Sequence, residues 1–149
     1  MKIIIGQGSC GIATGAKKTA SEFEKQIHDR SLDIQVGITG CVGTCYLEPI
    51  VDIYDDDNHL TRYVKVQPQD VTNIMDSHFS CQLGKDSSHC ITRLDEEVIE
   101  KQKRVVLRNC GLINPEDITE YIALGGYQAV NKVLSEMTPA DVIEEMKIS

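Results

Sequence analysis

The apolar positions change period several times along the chain, and each change marks an expected element. Lys2–Ile5 holds a short continuous apolar run that Gly6 and Gly8 end, which predicts a short buried strand. From Ile12 to Arg30 the period becomes helical: Ala13, Ala16, Ala20, Phe23 and Ile27 recur at three- and four-residue steps and define one apolar face. Leu32 to Ile38 alternates, with Ile34, Val36 and Ile38 on one side, and predicts a second strand. Ile50 to Tyr54 alternates again, the polar run DDDN at 55–58 predicts a turn, and Leu60 to Val66 predicts the returning hairpin strand. The stretch PQDVTNIMDSHF, opening on Pro68, predicts a helix.

Beyond this the pattern loosens. SCQLGKDSSHC is polar and turn-rich and RLDEEVIEKQKR is highly charged, with its acidic run best placed on a solvated helix face; together they predict a linker. VVLRN predicts a further short strand. Asn114 is the expected cap of a helix that starts at Pro115 and stops at Gly125 and Gly126; QAVNKVLSEM follows as a second helix and TPADVIEEMKIS, with its Thr-Pro start, as a third. The expected organisation is a front domain over 1–80, a linker over 81–103 and a small helical segment over 104–149. That segment has few large apolar residues to bury alone and is expected to dock on another surface.

Composition narrows the functional classes. The chain has 149 residues, a net charge of -8, an apolar fraction of 41% and no Trp. Wrapping nucleic acid or lying on an anionic membrane needs an excess of Lys and Arg, so the charge argues against both. No segment approaches the roughly 20 apolar residues of a membrane span, and the apolar start MKIII is too short for a signal peptide. The expected location is cytoplasmic. Thiols stay reduced there, so the six cysteines read as metal ligands or redox groups before disulfides.

Two glycine-rich loops carry the chemistry. GQGSCGIATGAKK places Cys10 after the first strand and at the opening of the first helix, where a helix start favours thiolate; TGCVGTCYLEPIV places Cys41 and Cys45 after the next strand. Iron–sulfur clusters are held by thiolates, commonly about four. The C-x3-C spacing of Cys41 and Cys45 lets two sulfurs reach one centre, and Gly40 and Gly43 let the backbone bend around it. If the first two strands lie side by side, both loops emerge at one end of the sheet and Cys10, Cys41 and Cys45 converge. The competing readings are three small buried side chains, a zinc site on the same cysteines, and a thioredoxin-type redox pair; the last wants C-x-x-C, which does not occur. His28, His59, His78 and the DDDN turn read as solvated or capping groups, and Tyr46 as a packing residue.

The stretches GSCGIATGA, TGCVGTCYLEPIV and VQPQDVTNIMDSH resemble the thioredoxin-like 2Fe-2S ferredoxin family. The tail KRVVLRNCGLINPEDITEYIALGGYQAVNKVLSEMTPADVIEEMK is similar to the segment leading into the flavin domain of the NADH-binding subunit of complex I and of soluble NAD-linked hydrogenases and formate dehydrogenases. The element order strand, helix, strand, strand, strand, helix is also that of a thioredoxin-like sheet. The resemblance implies an α/β thioredoxin-like ferredoxin domain, then a linker and a small helical tail. It implies an electron-transfer role through a 2Fe-2S cluster, with a potential on the order of -400 mV if all ligands are thiolates. It also implies partners among the other subunits or domains of an NAD(P)-linked oxidoreductase, and no catalysis by this chain alone.

The family's ligands come as C-x4-C and C-x3-C. Cys10, Cys41 and Cys45 match the last three positions; the first falls on Ile5, which cannot ligate. The fourth ligand is therefore open, with Cys81, His89 and Cys90 of the linker as candidates, while Cys110 falls outside the set and is expected to be structural. A cluster-free docking module of the same kind of complex is the alternative. The family's flavin- and NADH-binding loop comes after the helical tail, so no FMN or NAD site is expected within these residues, which read as a fragment of a longer arrangement.

Overall fold

Four strands form one mixed sheet in the order β2-β1-β3-β4: β1 (Lys2–Gly6), β2 (Gln35–Thr39), β3 (Val51–Tyr54) and β4 (Leu60–Tyr63). The computed structural model describes residues 1–79, 89–90, 97–99 and 101–149. β1 and β2 run parallel, with Lys2 opposite Gln35 and Gly6 opposite Thr39, whereas β1–β3 and β3–β4 are antiparallel. A parallel pair needs a crossover, and the helical stretch between β1 and β2 supplies it. The ends of β1 and β2 therefore lie side by side, and the two cysteine loops leave from them.

The expected single helix from Ile12 is two. α1 (Ser9–Thr14) ends at Gly15, whose φ of 108° lies in the left-handed region, and α2 (Ala16–Asp29) starts directly after it. Glycine takes that conformation without a Cβ clash, so the break is local and sharp. It removes Ala13 from the apolar stripe and leaves it exposed, while Ala16, Ala20, Phe23 and Ile27 stay buried as the period predicts. Thr19 joins them, its hydroxyl donating to Val66 O at 3.0 Å.

Ile3, Ile5, Val51, Ile53 and Tyr63 alternate onto one sheet face. They meet Phe23 and Ile27 of α2 and Val71, Ile74 and Met75 of α3 (Val71–Phe79) in one aliphatic core. Leu32, Ile34 and Val36 pack against its margin. On the opposite face Asp52 is 3% exposed and receives two 2.6 Å hydrogen bonds from the Arg62 guanidinium across the β3–β4 pair. The DDDN turn closes this hairpin, with Asn58 N–H donating to Asp55 O and Asp55 N–H to His59 O. α3 is entered through a turn at Pro68–Asp70, capped reciprocally by Gln67 and Asp70.

Two compact units result, Met1–Asn114 and Pro115–Ser149. Most of the linker expected over 81–103 lies outside the described residues, Cys81 included. His89 and Cys90 belong to the first unit: His89 O accepts from Val64 N–H at 2.7 Å, and Cys90 bridges Tyr63 and packs at the core margin. The strand expected at VVLRN is a series of turns instead. Val105 and Val106 are 68% and 93% exposed and pair with no strand among the described residues.

In the second unit α4 (Ile118–Ala123) is capped by Asp117 rather than Asn114, because the Asp117 carboxylate accepts from Thr119 N–H at 2.8 Å and 115–116 form a turn. α5 (Gln128–Glu136) and α6 (Pro139–Ile148) follow as the sequence predicts, the latter with a reciprocal Thr138–Asp141 cap. Gly126 separates α4 from α5 where an added Cβ would lie 2.3 Å from the Tyr121 ring. No helix among the described residues is long and apolar enough to cross a membrane.

Candidate metal centre

Cys10 sits in the first turn of α1, one loop beyond β1, and Cys41 and Cys45 follow β2, Cys45 opening a 3-10 turn over Cys45–Leu47. The parallel β1–β2 pairing places both loops at one sheet end. Gln7 N–H donates to Thr39 O at 2.8 Å and locks the loops together at their roots. Gly8 then lets the first loop lie against Cys41: an added Cβ would be 2.8 Å from the Cys41 Cβ. Beneath the second loop Val42, Leu47, Ile50 and Val64 form a small apolar cluster of their own.

The result is a close group of three sulfurs. Cys10 Sγ lies 3.4 Å from Cys41 Sγ, Cys41 Sγ lies 3.6 Å from Cys45 Sγ, and all three are within 4.8 Å of one another. Cys10 and Cys41 are half-buried and Cys45 is exposed. The Gly43 N–H donates to Cys41 Sγ at 3.3 Å, a contact that depends on Gly43 adopting a φ of 90°.

Ionisation in this group is uneven. Burial, then hydrogen bonding to Cys45 and Cys41, pushes the Cys10 thiol up to about 12, whereas the Gly11 N–H lowers it only slightly. The expected thiolate character of Cys10 from the helix start is thus overruled by desolvation and by neighbouring thiols. At Cys41 burial also opposes ionisation, but the Gly43 N–H and the Cys10 and Cys45 thiols outweigh it and hold the sulfur below the ordinary thiol value. Several thiolates this close repel one another, and a bound cation removes that repulsion and deprotonates its thiols.

The donor set fits a soft, thiophilic metal group: three sulfurs gather at one rim with a backbone N–H already on sulfur. Ile5 is fully buried in the core, paired with Ile38 and Val51, and contributes nothing to the group. His89 is held by Val64 O at 3.2 Å and Asp70 at 3.5 Å, and Cys90 by the core, so neither joins the sulfurs. Cys110 also stands apart, in a turn where its N–H donates to Leu107 O. His28 is exposed, His59 pairs with Asp55 at 3.3 Å, and His78 meets the Tyr63 hydroxyl at 3.2 Å. Tyr46, expected to pack, remains 62% exposed beside Cys45.

Two features escape the sequence reading. Residues 104–113, grouped there with the tail, strap the second cysteine loop. Arg104 donates to Val42 O at 2.7 Å, Thr39 Oγ1 donates to Ile113 O at 3.1 Å, and Gly111 abuts Val42 so closely that an added Cβ would be 2.8 Å from its Cγ1. Glu48 is the second: it is 6% exposed and its Oε1 lies 4.0 Å from Cys10 Sγ. The available signal was a lone carboxylate in the otherwise apolar run LEPIV, where a charge has to find a buried partner.

Fold comparison defines the class first: this is the thioredoxin-like fold of 2Fe-2S ferredoxins. The wild-type thioredoxin-like 2Fe-2S ferredoxin from Aquifex aeolicus matches with a TM-score of 0.52 at 21% identity, over 62% of this chain and 96% of that one. A cysteine-to-serine variant of the same ferredoxin matches with a TM-score of 0.53 at 20% identity, over 62% and 98%. In sequence, the chain is 54% identical over 50 residues to the NADP-reducing hydrogenase subunit HndC of Solidesulfovibrio fructosivorans, a match to 34% of this chain. That match spans 10% of HndC. No family model matches the chain.

Proposed function

We propose that the first unit is an electron-transfer domain that holds a 2Fe-2S cluster on Cys10, Cys41 and Cys45, within an NAD(P)-linked oxidoreductase. The observation that carries this reading is the gathering of the three sulfurs within 4.8 Å at one sheet end. The likeness to ferredoxins of the same fold and the local match to a hydrogenase subunit support it. A bound cluster supplies one-electron chemistry. The chain's own work is to present the thiolates, to donate the Gly43 N–H to sulfur, and to exclude water with the Val42, Leu47 and Ile50 cluster. Cys45 and Tyr46 are exposed at the rim, which supports electron exchange with a partner on that side. Its partners on this reading are other subunits or domains of the complex, and its compartment is the cytoplasm.

The test is anaerobic reconstitution with ferric iron and sulfide. The expected product is reddish-brown and carries about two iron and two sulfide per chain. Cys41→Ala or Cys45→Ala is expected to abolish the visible absorption; unchanged colour in either variant refutes the assignment. One observation favours a second reading: Ile5, at the family's first ligand position, is a buried aliphatic side chain. A docking module without a cluster accordingly gives colourless protein with free thiols and no iron, whereas a zinc site gives colourless protein with stoichiometric zinc.

A further inference from the structure

A 2Fe-2S cluster takes about four protein ligands, two on each iron, and the described residues gather three sulfurs. With Cys41 and Cys45, neighbours on one loop at 3.6 Å, taken as the pair on one iron, Cys10, 3.4 Å from Cys41, lacks a companion on the other iron. The space next to Cys10 is occupied by the Glu48 carboxylate. Its Oε2 accepts the Ile50 N–H at 2.8 Å and so is anchored, while Oε1 lies 4.0 Å from Cys10 Sγ. The carboxylate lies over Gly6, the residue beside Ile5: a Cβ added to Gly6 would be 3.0 and 3.1 Å from its two oxygens. A Cβ added to Gly11 would first meet the Gly6 O at 2.3 Å and then Oε2 at 3.1 Å, so the carboxylate is seated against the end of β1 and the start of α1.

We propose that Glu48 is the fourth ligand, its Oε1 binding the iron that Cys10 holds, so that the centre has three thiolates and one carboxylate. The inference rests on the cluster reading above. Glu48 thereby replaces, from the second cysteine loop, the thiolate that Ile5 cannot provide. Carboxylate is a harder donor to iron than thiolate, so the two irons become inequivalent and the potential differs from that of an all-thiolate centre. Glu48 binds as the carboxylate and the cysteines as thiolates, and any thiol protons leave to solvent with no change in the ligands' oxidation state.

Glu48→Gln and Glu48→Cys in the full chain, reconstituted anaerobically with ferric iron and sulfide beside the wild type, test this. Glutamine keeps an oxygen for the Ile50 N–H and loses the anionic donor. It is expected to reduce cluster retention about 10-fold or more, with circular dichroism of the iron-free protein unchanged. Cysteine is expected to restore retention with stronger visible charge-transfer absorption, a shifted potential and a changed paramagnetic resonance spectrum in the reduced state. A role confined to anchoring Ile50 moves none of these. If the glutamine variant does not fold, the cysteine variant decides alone. Wild-type spectra and potential in the variants overturn the Glu48 assignment and leave the cluster reading standing. A wild-type chain that takes up neither iron nor sulfide overturns both.

Discussion

At single positions, backbone conformation and buried charge decide more than side-chain class. Gly40 and Gly43 both stand in open space, where an added Cβ would meet nothing within 4 Å, but Gly43 alone has a φ in the left-handed region, at 90°. Gly43→Ala is therefore expected to cost about 1–2 kcal/mol of stability, and Gly40→Ala to stay within about 0.5 kcal/mol of the parent. Denaturant unfolding of the iron-free proteins checks the pair, and equal costs would contradict the conformational account. The cysteines were legible from their glycine-rich surroundings. Glu48 was not, because a carboxylate between Leu47 and Pro49 reads as a surface charge until the chain folds it under Gly6 and Gly11. Burial then raises its proton affinity, with the Ile50 N–H offsetting part of the effect.

Among elements, the caps carry a pH dependence whose sign can be stated. Hydrogen bonds from Thr119 hold the Asp117 carboxyl below its ordinary value of 3.8, and those from Thr138 do the same for Asp141. A carboxyl with a lowered folded value binds fewer protons in the folded state than in the unfolded one. Its contribution is present above the ordinary value and is lost as the pH falls through the folded value. Helix content of α4 and α6 is expected to fall in acid below about 3.8, followed by far-UV circular dichroism of the chain. Thr138→Ala is expected to weaken α6 by about 1 kcal/mol. The Thr-Pro start of α6 was readable because capping is a contact between residues three apart. The true cap of α4 was misplaced by three positions, since Asn114 and Asp117 offer equivalent side-chain oxygens and only the turn at 115–116 selects between them.

For the molecule as a whole, the cluster proposed above would couple metal binding to folding of the first unit. Cys41 and Cys45 lie 31 and 35 residues beyond Cys10, and the three sulfurs meet only when β1 and β2 pair in register. A ligand that binds this gathered set and not the unfolded chain stabilises the fold. Stripping iron with a chelator is expected to lower the melting temperature of the reconstituted protein, and the Cys41→Ala variant should show no such difference. Equal melting of loaded and stripped protein would mean that the cysteines do not hold the metal.

Period, capping residues and glycine placement act over a few residues, so they were readable directly: the four strands, the buried stripe of α2, and the positions of Cys10, Cys41 and Cys45 after β1 and β2. Which loops meet depends on strand order and register, and those are settled by burial of Ile3, Ile5, Val51 and Ile53 against α2 and α3 across long separations. Only the tertiary structure therefore set the sulfurs at one rim, turned residues 104–113 into a strap over Val42, and carried the Glu48 carboxylate to within 4.0 Å of Cys10. Each of these joins segments far apart in the chain, where no local pattern carries information about the contact.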